Sequence, residues 1–237
     1  MSEDNISESP AESPSAPGAP PELVPHPTPL ASAPKAYVET VQKGLQFVIY
    51  GTLAQIGFAL LVLIASVGAS FLGETVVNVV GLLAALIGTG IAAIVLMGWM
   101  RFSEPDESVA GEHDGAEPRK LVRLAVYILA GLYALNLLAS LLAFIGLGIL
   151  ALPVSLLLFL ATAFMLFAAM GYVNWMATRI PSEETYERSK MYRWLLPLLY
   201  FPGCALIVAP LVGLVLYLLL LFKVKEEIEG VQGASPA

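Results

Sequence analysis

Five long apolar runs occupy most of this 237-residue chain, at about 44–72, 76–100, 121–150, 151–176 and 194–222. A helix needs roughly 20 apolar residues to cross the hydrocarbon core of a bilayer, and each run is at least that long. Backbone amides at that depth find no water, so a spanning segment satisfies them internally as a helix. The predicted fold class is therefore all-α: a polytopic membrane protein with five transmembrane helices, arranged as two antiparallel hairpins plus a proline-kinked fifth helix. The short polar or glycine-containing links at 73–75 and 146–153 leave the helices they join no choice but to lie side by side.

Charge supports the same reading. Only 13% of the residues are charged, against about 25% in a soluble domain, and the charges lie almost wholly outside the five runs. The net charge of −7 argues against a nucleic-acid partner, which needs a basic face, and against a polybasic lipid-binding tail. The twelve Lys and Arg residues gather in alternate gaps. Lys35 and Lys43 precede the first run; Arg101, Arg119 and Lys120 stand between the second and third, with Arg123 just inside the third; Arg179, Arg188, Lys190 and Arg193 stand between the fourth and fifth. By the positive-inside rule five single spans put the N-terminus in the cytoplasm, with every basic residue there except Lys223 and Lys225. Those two become cytoplasmic only if the last run turns back. Trp99, Trp175 and Trp194 fall at that same face, where indole rings favour the interface.

Three parts follow along the chain. Residues 1–33 are acidic and rich in Pro, Ser and Ala, with too little apolar surface to offset ordering entropy, and are read as a disordered cytoplasmic tail with no signal-peptide core. Residues 34–222 form the membrane domain, and 223–237 a short polar tail. Each of the first two hairpins ends in Trp-Met, at Trp99-Met100 and Trp175-Met176, followed by an acidic, proline-containing loop, the pattern of a weak internal repeat.

In lipid, close approach at small residues and hydrogen bonds between helices drive packing. The second run carries such a face at Gly81, Ala84, Ala85, Gly88, Thr89 and Ala92, expected to contact the first or fourth helix. Gln55 and Asn136 are the amides at membrane depth. An unpaired amide in hydrocarbon is costly, so both should face the bundle, as an interhelical clasp or as the lining of a substrate route. Pro197, Pro202 and Pro210 interrupt the hydrogen bonding of the fifth run and mark it as the place where a helix breaks. The expectation is nevertheless one long kinked span.

No Asp, Glu, Lys, Arg or His lies deep in any run, which disfavours ion-coupled transport. The lone Cys204 and the two histidines, His26 and His113, offer no metal-ligand spacing and no nucleophile–base pair. No nucleotide or hydrolase motif occurs, so no cofactor, metal site or catalytic residue is expected. The leading functional expectation is a structural, accessory or scaffolding protein without catalytic activity, partnered by the lipid bilayer and by other membrane proteins, in a bacterial inner membrane. The alternative is a carrier or channel for a small neutral or lipidic substrate, which the broken fifth run and the two amides would serve.

Overall fold

The computed structural model of the chain describes residues 29–106, 115–180, 182–200 and 208–233. Among them there are six α-helices and no strands: α1 (Lys35–Ser70), α2 (Glu74–Phe102), α3 (Ala116–Phe144), α4 (Ala151–Arg179), α5 (Glu183–Tyr200) and α6 (Val208–Gly233). Four stretches, α1, α2, α3 and the segment Gly148–Arg179 that contains α4, are long and apolar enough to cross a membrane, the mark of an integral membrane protein. The sequence places their ends well. Pro34 directly precedes α1, where its fixed φ and lost N–H cost nothing. Gly73, at φ 108°, and Gly146, at φ 88°, make the turns after α1 and α3, a backbone region that side chains other than glycine rarely enter.

The two expected hairpins are present, and glycine sets the closeness of the first. A Cβ placed on Gly44 of α1 would stand 2.4 Å from the Phe102 backbone nitrogen, and one on Gly98 of α2 would stand 2.7 Å from that of Val48. The two backbones touch through hydrogen atoms alone, a contact no larger residue permits. Gly51 continues it one further step, against Val95. In the second hairpin Gly115, at φ 67° ahead of α3, packs against the Trp175 ring of α4, so the start of α3 lies beside the end of α4.

The fifth apolar run departs from the expectation of one kinked span. It is carried by two helices, α5 and α6, that lie antiparallel. Leu199 of α5 packs on Gly213 of α6; at the other end Lys223 of α6 ion-pairs with Glu184 of α5, and Glu227 accepts hydrogen bonds from Ser182 and Thr185. On one continuous helix Glu184 and Lys223 would be roughly 58 Å apart at 1.5 Å per residue. The physical reason for two helices sits in the prolines. Pro210 lies in the first turn of α6, where a missing N–H is tolerated, and Pro197 lies inside α5. Pro202, with residues 201–207, lies outside the described residues.

Helix α5 also runs antiparallel along α4: Asn174 meets Tyr186 and Ser189, Phe167 meets Trp194, and Phe159 stacks on Tyr200. Phe159 is eight residues inside the α4 start, so the last described residue of α5 lies about 12 Å short of that end of the bundle. The C-terminal end of α6 returns to the start of the chain. Leu30, fully buried in a short helical turn at Leu30–Ser32, joins the core cluster with Ile228 of α6, and Val231 packs against it. Pro29–Ala33, read from the sequence as the end of a loose tail, is thus held by one apolar residue; residues 1–28 lie outside the described ones. All twelve Lys and Arg residues therefore lie toward one end of the bundle, which we call the charged end.

Candidate functional site: a neutral cavity inside the bundle

The hairpins meet through α2 and α3, and α5 and α6 close the other side from α4 to α1, leaving a cavity of about 330 Å³ inside. Every helix gives it at least one neutral polar side chain: Thr52 and Gln55 from α1, Trp99 from α2, Tyr133 from α3, Thr162 from α4, Tyr200 from α5 and Tyr217 from α6. The rest of the wall is apolar, with Leu129, Met165, Leu166 and Leu196 among it, and among the described residues no charged one lines it. The size lies in the range of small-molecule sites, which are likewise mostly apolar with a few placed polar groups.

The polar groups face one another across helices. Gln55 stands against the Tyr133 hydroxyl, and Tyr200 stands against Thr162, whose own hydroxyl donates to the Leu158 carbonyl at 2.8 Å and so can only accept from Tyr200. Trp99 stands against Tyr217, where the indole can only donate. The pairs occupy two levels. Gln55 stands seven residues along α1 from Val48, which faces Gly98 beside Trp99, a rise of about 10 Å. The cavity thus has an amide and hydroxyls at one level, an indole and a hydroxyl at the other, and hydrocarbon between.

The residues singled out in the sequence take varied places. Gln55 is on the cavity wall, beside Tyr133; Asn136 is half-buried on α3 and is not among the lining residues. On the α2 face, Ala92 is buried and lines the cavity, Gly88 touches Phe58 of α1, Ala84, Ala85 and Thr89 are half-covered, and Gly81 has no neighbour within 4 Å. The Thr89 hydroxyl is buried without a hydrogen-bond partner. The tight α1–α2 contact lies nearer the charged end, at Gly44, Gly51 and Gly98. Among the described residues no group of three His, Cys, Asp or Glu side chains could hold a metal; His26, His113 and Cys204 fall outside them.

A second polar cluster, which the sequence did not single out, lies on the charged-end side of Trp99. Arg179, at the end of α4, and Asp106, just past α2, are both almost fully buried and pair at 2.6 Å. The guanidinium also donates to the Tyr37 hydroxyl at 3.4 Å and lies over the Tyr37 and Trp175 rings. Tyr172 donates to the Phe102 carbonyl at 3.0 Å, and Trp99, Phe102, Tyr172 and Trp175 follow one another ring against ring. The cluster ties α1, the end of α2 and the end of α4 together. Farther out, the Lys223 ammonium donates to the Glu184 carboxylate and, with Arg188 adding to it, holds that group below its ordinary value of 4.5. Glu229 raises Lys225 above its own in the same way.

No protein-family model, no curated protein and no solved structure matches this chain.

Proposed function

We propose that this chain is a non-catalytic membrane protein that binds and carries a small, uncharged, largely apolar molecule within the bundle. The observation that carries the reading is the cavity, which all six helices line with neutral groups and, among the described residues, none with a charge. An ion or an acid would leave water for a site with no countercharge, at a cost of several kcal/mol. An uncharged molecule loses only the hydrogen bonds that Gln55, Tyr133, Thr162 and Tyr200 can replace. We place the protein in a bacterial inner membrane with the charged end in the cytoplasm. In this arrangement α1 to α4 cross the membrane, and α5 and α6 enter and leave from the cytoplasmic side in place of a fifth single span. The all-inside placement of Lys223 and Lys225 supports it.

The accessory reading keeps one specific support: Gly81 and Gly90 on α2 have open space where a side chain would stand, a surface suited to another membrane helix.

The test is equilibrium binding of the uncharged naphthalene dye prodan to the purified full chain in detergent. Saturable binding is expected, lost in Leu166→Trp, which fills the cavity, and weakened in Gln55→Leu. Binding that does not saturate, or that Leu166→Trp leaves unchanged, refutes the cavity as a site.

A further inference from the structure

The groove between α4 and α5 holds an arginine that the cavity does not use. Arg193 packs its guanidinium over the Phe167 ring, 4.3 Å from the centroid, and beside Gly171, where a Cβ would come within 3.5 Å of Cζ. Phe167 and Gly171 lie four to eight residues along α4 from Trp175, about 6–12 Å deeper into the bundle. The Nε of Arg193 is buried with no hydrogen-bond partner, and among the described residues no carboxylate pairs with it. A guanidinium this far inside, half-buried and unpaired, is costly in hydrocarbon unless an anion or a local defect in the bilayer meets it.

The surroundings indicate which anion. One turn toward the charged end stands Lys190, exposed and also without a carboxylate partner among the described residues. Beside Arg193, on the outward face of α5, Met191, Trp194 and Leu198 are exposed at 56, 71 and 61%, and Trp194 packs edge-on against Phe167. Two unpaired cations therefore lie at the head of an apolar strip that faces lipid. The apolar part of α5 begins only at Trp194, so Arg193 stands at the boundary between its polar and apolar parts. Basic residues between helices near the cytoplasmic face suit lipid headgroups.

We propose that Arg193, with Lys190, binds the phosphate of a membrane phospholipid in the α4–α5 groove, the acyl chains lying along Trp194 and Leu198. The site stands on the outside of the bundle and does not rest on the cavity reading.

The test is native mass spectrometry of the delipidated full chain in nonionic detergent, titrated with palmitoyl-oleoyl phosphatidylglycerol, with the diacylglycerol of the same chains, and with inorganic phosphate. Phosphatidylglycerol should bind saturably, and diacylglycerol about tenfold more weakly, the loss of one charge-assisted hydrogen-bond set. Arg193→Gln should weaken phosphatidylglycerol about tenfold and Arg193→Lys less. Lys190→Gln, at an exposed position that folding does not need, should weaken it about threefold. The proposal is overturned by equal binding of diacylglycerol, by unchanged affinity in both Gln variants, or by inorganic phosphate displacing the lipid at equal concentration, which would mark a site for the free anion. Absence of phosphatidylglycerol binding to the unaltered chain also overturns it and would point to an acidic partner helix.

Discussion

Replacing Asp106 by Asn should destabilise the fold far more than its place at a loop edge suggests. The Asp106 and Arg179 side chains are 2 and 0% exposed and pair at 2.6 Å. Asn keeps the shape and removes the charge that the buried guanidinium pairs with at 2.6 Å. Two unit charges about 4 Å apart interact by roughly 4 kcal/mol at an effective dielectric near 20. Removing one partner of a buried pair costs about 3–5 kcal/mol by direct measurement in other proteins, so the two figures agree. For a chain of this length that corresponds to a fall in unfolding temperature on the order of 10 °C. The assay is thermal unfolding of the purified chain in detergent, followed by circular dichroism, for Asp106→Asn, Arg179→Met and the double variant. Because the double variant removes both charges, it should lose less than the two single losses added together. A change under about 2 °C in Asp106→Asn, or simple additivity, would refute the reasoning that this pair locks α1, α2 and α4 together.

Three further outcomes follow from the packing. Gly98→Leu should break the α1–α2 contact, because a Cβ there already meets the Val48 backbone at 2.7 Å; a loss of about 1–3 kcal/mol is expected, read as a lower unfolding temperature, whereas Gly81→Leu, in open space, should leave it unchanged. Glu227→Ala should free the end of α6 from α5 by removing the acceptor for Ser182 and Thr185, seen as faster hydrogen exchange over residues 223–233. Glu184 titrates below its ordinary 4.5 because Lys223 donates to its charged form, so its contribution is fully present above that pH and lost as pH falls through the depressed value. Exchange over the same residues should be flat from pH 8 to about 5, once corrected for intrinsic rates, and rise only below 4.5; a rise already at neutral pH would contradict the pairing.

Much of the fold was legible because lipid leaves the backbone few options. Apolar run lengths and the glycine turns at Gly73 and Gly146 give two hairpins, and the charge pattern already carried the clue to the rest: Lys223 and Lys225 sit on the wrong side of a single fifth span. Run length alone suits one span, because residues 194–222 are long enough for one kinked helix and too short for two full crossings. What residue spacing could not supply was which small residues meet. The Gly81–Ala92 stripe is denser than Gly44, Gly51 and Gly98, yet the latter make the closest approach, because contact depends on how two helices cross and not on one helix alone. Gln55 was identifiable as an inward amide, but its neighbour Tyr133 and the cavity around them require six helices at once. The Asp106–Arg179 pair left only a faint signal, since both residues flank apolar runs where charges are ordinarily wet.

The most direct test of the fold places the two ends of the chain. In a bacterial host, a fluorescent protein or an alkaline phosphatase is fused after Ala237, and the same pair of reporters is fused before Met1. An α5–α6 hairpin that returns to the charged end requires both ends on one side, with both fluorescent fusions bright and both phosphatase fusions inactive. An active phosphatase at the C-terminus beside a fluorescent N-terminus would mean that the last run crosses the membrane once, and would contradict both the hairpin and the cavity it helps to form.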